Sequence, residues 1–140
     1  MDENTPSEDS MTEPKYNHHF LQHPIKEEWF GKYINFEGGQ QFHSKMSVLY
    51  LVVRDDKSNG DTPHIHDFDE YLSFIGLDPD NPDYLGGEID LCLGEEREKH
   101  TINKSTTVFI PKGMKHLPIT FKKIDKPFVL AHLFLTDFYT

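Results

Sequence analysis

A single cysteine, Cys92, leaves this chain without any internal disulfide, so the fold has to rest on an apolar core. Basic residues are scarce as well. Against 24 Asp and Glu there are 14 Lys and Arg, a formal net charge of -10. That sign argues against a nucleic acid or an anionic membrane as partner, because both require a basic surface. No stretch is apolar enough to span a bilayer, and no charged n-region followed by an apolar h-region opens the chain. Together with the lone thiol, these features lead us to expect a cytoplasmic protein. Tryptophan occurs once, but 11 Phe and 6 Tyr supply an aromatic-rich interior. A length of 140 residues suits one domain with one core.

Residues 1–17 are rich in Asp, Glu, Ser, Thr, Asn and Pro, too polar to offset the entropy of ordering, and read as a mobile acidic tail ahead of a single domain at 18–140. His18, His19 and His23 lie close together, but no carboxylate or cysteine joins them at a fixed spacing, so they read as a polar approach to the domain. Pro24 to Phe30 reads as a short helical lead-in, with proline at the first position and acids in the first turn, and Gly38-Gly39 ends it as a turn. From Phe42 onward the period becomes that of strands. Met46 to Val53 is apolar on both parities, as expected of a strand covered on both faces. Glu88 to Leu93 and Lys99 to Ile102 flank a charged tip and predict a hairpin. Asp78 to Asp83 has the acids of a calcium loop but lacks the glycine and the distal glutamate, and its prolines read as punctuation between strands. The strand-like runs number about eight, with no internal repeat, which indicates an all-β barrel or sandwich.

The chemistry concentrates in Pro63-His64-Ile65-His66-Asp67-Phe68-Asp69-Glu70. Side chains on a strand alternate with period two, so His64, His66 and Glu70 fall on one face. A fourth candidate ligand follows the turn Pro111-Lys112-Gly113-Met114-Lys115, where glycine permits positive φ and His116 emerges just beyond. Three neutral nitrogens and one carboxylate suit a divalent transition ion. Asp67 and Asp69 take the opposite parity and are expected to face solvent, and Tyr71 is expected to point away from the site on a regular strand. His132 sits in the apolar run Phe128 to Leu135, where an imidazole must find a partner. It is expected either to support the ligands from behind or to contact substrate. Nothing beside Cys92 would depress its pKa for nucleophilic work.

His64-x-His66-x-x-x-Glu70 followed by Pro111-x-Gly113-x-x-His116 resembles the two signature motifs of the cupins, small β-barrels that hold a metal with three His and one Glu. The resemblance covers roughly residues 42 to 136. It departs from the family pattern at flanking turns, where a glycine comes one residue early at Gly76 and Ser105 and Thr120 stand for the usual glycine and asparagine. It implies a cupin-type jelly-roll barrel whose ligands His64, His66, Glu70 and His116 bind Fe(II), Mn(II), Ni(II) or Zn(II). The superfamily includes dioxygenases, lyases, isomerases, decarboxylases and non-catalytic binding proteins. The leading expectation is a homodimeric dioxygenase whose small organic substrate chelates the ion. The alternatives are a Lewis-acid lyase or isomerase on the same metal, and a non-catalytic module that binds a small ligand.

Overall fold

The computed structural model describes residues 14–139, so the expectation for the acidic tail falls almost wholly outside the described residues. Nine strands follow in chain order. They are β1 (Ile25–Glu28), β2 (Gly31–Glu37), β3 (Ser47–Val53), β4 (Glu70–Ile75), β5 (Tyr84–Leu93), β6 (Glu98–Lys104), β7 (Thr106–Ile110), β8 (His116–Ile124) and β9 (Phe128–Phe134). One short helix, α1 (Gly38–Phe42), joins β2 to β3. All the pairings are antiparallel, in a six-stranded sheet of order β1-β2-β3-β9-β4-β7 and a three-stranded sheet of order β6-β5-β8.

Alternation decides what lies between the sheets. Leu51 and Val53 of β3, Leu72 and Phe74 of β4, and Phe128 and Leu130 of β9 point inward and are buried. They meet Leu85, Ile89 and Leu91 of β5 and Ile119 and Phe121 of β8 from the other sheet. The residues between them point out: Val52 remains 51 % exposed. The expected hairpin is present as β5 and β6, closed by Gly94 and Arg97 at positive φ.

The N-terminal lead-in is not helical. Ile25 to Glu28 form a strand paired with β2 from Ile25↔Ile34 to Glu28↔Gly31. One helical turn fixes several residues for a single hydrogen bond and is unstable alone, whereas a strand on an existing edge satisfies its backbone at once. The proline and acids that favoured a helix are overruled by that pairing. Phe30 and Tyr33 pack against the core, while Trp29 is 77 % exposed. The helix comes later, at Gly38-Gly39, where a simple turn was expected. A Cβ on Gly38 would collide with the Met46 carbonyl, so this close approach requires glycine.

Two departures from the motif pattern meet in space. The Ser105 hydroxyl accepts from the Gly76 N–H at 2.9 Å and donates to the Pro82 carbonyl at 2.8 Å, joining the end of β4 to the β6–β7 corner. Asp78 caps its own turn by accepting from the Asp80 N–H, so this loop is punctuation as read.

Candidate metal centre

His64, His66, Glu70 and His116 converge inside the barrel, although not by strand parity. Only Glu70 belongs to β4; His64 makes an isolated bridge to His116, and the chain bends at Asp67-Phe68. At this bend the Phe68 ring stacks on His66 with centroids 4.8 Å apart. The His64 and His116 backbones exchange two N–H···O bonds of 3.1 Å, which sets their imidazoles side by side with centroids 4.3 Å apart. The Pro-x-Gly turn is fastened to the same bend. The Met114 N–H closes it onto the Pro111 carbonyl with Gly113 at φ 84°, the Gly113 N–H donates to the His66 carbonyl, and the Lys112 N–H donates to Asp69 Oδ1 at 2.8 Å. Asp69 therefore holds the second motif in place, a role its parity did not reveal, while Asp67 is exposed.

One nitrogen from each of His64, His66 and His116 lies within 4.8 Å of the others, the spacing of a group that could hold a metal ion. The three run from an exposed rim at His64 through His66 to a buried His116. Glu70 is 2 % exposed, and its Oε1 lies 3.7 Å from His66 Nε2 and 3.6 Å from His116 Nε2. Its Oε2 faces His132 Nδ1 at 3.0 Å. A carboxylate accepts, so the His132 Nδ1–H donates, and this half-buried imidazole has the partner it required. His116 Nδ1 faces the Met114 carbonyl at 3.1 Å, so that nitrogen carries the hydrogen. In the neutral ring its Nε2 presents a lone pair to Glu70 Oε1. That oxygen is buried without a hydrogen-bond partner. Burial holds the His64 and His66 pKa values below the ordinary range, and the neighbouring His116 adds to the effect on His64. These two imidazoles are thereby biased toward the neutral form that can ligate.

The cavity enclosed here has a volume of about 140 Å³, walled by Leu72, Leu117, Ile119, Leu130 and Phe134 around the polar cluster. A larger hollow of about 560 Å³ opens between β6 and β7, but among the described residues the sole clustered ligating group is that of the small cavity. His100 of β6 borders the larger hollow and pairs with Glu98.

No family model matches the sequence, and no curated protein does. Solved structures do. Over 81 % of this chain and 55 % of that one, the fold matches hydroxypropylphosphonic acid epoxidase from S. wedmorenis at a TM-score of 0.54 and 17 % identity. The Mn(II)-containing oxalate decarboxylase of Bacillus subtilis matches at 0.55 and 18 %, over 85 % and 29 % of the two chains. The capsular polysaccharide assembling protein CapF of Staphylococcus aureus matches at 0.56 and 12 %, over 86 % and 30 %. The chain has the cupin fold. It spans about half or less of the length of these structures.

One lining residue of this cupin barrel was invisible to the sequence reading. After β9 the chain turns back across the barrel mouth and places Tyr139 flat on Phe134, with centroids 4.0 Å apart and planes 8° from parallel. Its ring lies edge-on to His66 at 5.8 Å and lines the cavity. Burial, and then the Glu70 carboxylate, push its phenol above the ordinary pKa.

Proposed function

We propose that His64, His66, Glu70 and His116 hold one divalent transition-metal ion, and that the protein is a metal-dependent enzyme acting on a small organic substrate. The observation that carries this reading is Glu70 Oε1. A buried acceptor with no donor costs about 1–3 kcal/mol, and here it also faces the lone pair of His116 Nε2. A cation among these atoms turns the mutual repulsion into ligation. Mixed nitrogen and oxygen donors suit Fe(II), Mn(II), Ni(II) or Zn(II). His132 fixes the carboxylate by holding Oε2, which leaves Oε1 free to ligate.

The reaction we propose is dioxygenation of a chelating substrate. When bound, the ion would supply coordination positions, beyond the four protein ligands, for substrate and dioxygen. The chain supplies an apolar chamber that excludes water and admits a compact organic molecule. A second reading is favoured by His132. With Nδ1 committed to Glu70, its Nε2 is the ring nitrogen left for a proton acceptor's role beside the cavity, as a Lewis-acid lyase or isomerase would need. Elemental analysis of protein purified without added metal tests the centre. Near-stoichiometric metal is expected for the natural chain, and its retention by a His116→Ala, Glu70→Gln double variant would refute the ligand assignment. Loading stripped protein with Fe(II) or Zn(II) and screening chelators for oxygen uptake separates the reactions. Turnover under anoxia, equally fast with Zn(II), would reject dioxygenation.

We also propose that the protein is a homodimer formed through the outer face of the six-stranded sheet. Cross-strand register puts Phe36, Val48, Leu133, Tyr71 and Phe109 in one unbroken outward row over five strands. A sheet face left to solvent is normally polar at such positions. An apolar row of this kind marks a surface that a partner can cover. A second copy can, because the row carries no charge and its self-pairing avoids the repulsion that a net charge of -10 imposes elsewhere. No helix among the described residues is long and apolar enough to cross a membrane. The free thiol of buried Cys92 suits a reducing compartment, which supports a cytoplasmic location.

A further inference from the structure

We propose that Tyr139 is a ligand-contacting residue of the metal centre, its phenolic O–H donating a hydrogen bond to a small, singly charged chelator held there. This rests on the metal reading above and adds the class of ligand to it. The first argument is how firmly the segment that follows β9 is seated. Segments outside a sheet are mobile unless tied down, and this one is fastened at four points. The Leu135 N–H donates to the Asp69 carbonyl at 2.9 Å, and the fully buried Ser47 hydroxyl donates to the Thr136 carbonyl at 2.9 Å. The Gly39 N–H donates to the Asp137 carbonyl at 2.8 Å, and the Tyr139 N–H donates to Glu37 Oε2 at 2.9 Å. A Cβ on Gly39 would stand 2.7 Å from Asp137 Cβ, so the helix start is shaped to let this segment pass. The last of these bonds is at Tyr139 itself, whose ring is then clamped on Phe134.

The second argument is elimination among the lining groups. Of the polar side chains around the cavity, His64, His66, Glu70 and His116 are committed to the ion and His132 donates its one hydrogen to Glu70. Tyr139 is left as the remaining O–H or N–H donor on the wall. No Lys or Arg lines the cavity, so a second negative charge on a ligand would be buried without a counter-ion. A volume of about 140 Å³ admits only a compact molecule. The fitting class is a small bidentate chelator with one negative charge, an apolar remainder, and an oxygen within reach of the phenol.

Acetohydroxamate has these properties and serves as the probe. The protein is loaded with Co(II), whose visible bands report the site, and titrated with acetohydroxamate alongside a Tyr139→Phe variant that keeps the stack on Phe134. The variant is expected to bind Co(II) as the natural chain does and acetohydroxamate about tenfold or more weakly, the loss of one hydrogen bond to a charged acceptor. In the natural chain the same titration is expected to perturb tyrosine absorbance, a measurement that stands even if the variant fails to fold. Equal acetohydroxamate affinity in the two proteins, or a Co(II) spectrum and tyrosine absorbance that acetohydroxamate leaves unchanged, would overturn the role of Tyr139 while the metal centre stands. Failure of the natural chain to take up Co(II) would overturn both.

Discussion

Replacing Glu70 by Gln should move stability in opposite directions depending on whether metal is present. In metal-free protein, Glu70 Oε1 is a buried acceptor without a donor, 3.6 Å from one imidazole nitrogen and 3.7 Å from another. A glutamine can keep its oxygen on the His132 Nδ1–H and turn its amide hydrogens toward those nitrogens. Removing the orphan is worth about 1–3 kcal/mol, less about 1 kcal/mol for exchanging a charged acceptor for a neutral one at His132. The net gain of up to roughly 2 kcal/mol corresponds to a rise of up to about 8 °C in Tm for a domain of this size. With metal the order reverses. An ion at 100 times its Kd stabilises the natural chain by about 2.7 kcal/mol, whereas a 100-fold weaker site gains only ~0.4 kcal/mol at the same concentration. The assay is thermal unfolding after chelator treatment, with and without added Zn(II), for both proteins. A lower metal-free Tm in the variant, together with an undiminished Zn(II) shift, would refute the placing of Glu70 among the ligands.

The metal-free protein should lose stability on acidification. His64 and His66 have depressed pKa values, so below about pH 6.5 the unfolded chain binds more protons, and stability falls as the pH drops through the folded values. Urea unfolding between neutral and mildly acid pH should show this slope, flatter in a His64→Gln, His66→Gln variant; an unchanged slope would contradict it. Gly39→Ala should lower Tm by several degrees, since its Cβ would meet Asp137 and displace the C-terminal segment, an effect of about 1–3 kcal/mol. An unchanged Tm would show that the segment is not held as described. Sedimentation velocity should give a dimer for the natural chain and a monomer for Leu133→Glu, whose side chain lies mid-row between Val48 and Tyr71. A monomeric natural chain would reject that interface.

By itself the sequence marked most of the strands and four of the side chains that the fold brings together at the cavity. Apolar runs such as Ser47 to Val53 are local, and the β5–β6 hairpin needs only its own turn, so both are legible without knowledge of the remainder, although the cover expected on both faces of that run fails at Val52, which lies on the outer face of the sheet and stays exposed. His64, His66, Glu70 and His116 were legible because their types and spacings are unusual. The reason they converge was not, since His64 and His66 lie outside any regular strand and are positioned by the bridge to His116 and the bend at Phe68. Tertiary structure alone decided the rest. Whether Ile25 to Glu28 coils or extends depends on an edge offered by β2, and local propensity pointed the wrong way. β9 lies between β3 and β4, about 80 residues from the former in sequence, and that insertion brings His132 to Glu70. Tyr139 bonds to Glu37, 102 positions earlier in the chain. No local pattern encodes such a contact, because each partner is ordinary in its own neighbourhood and the pair exists only once the barrel has closed.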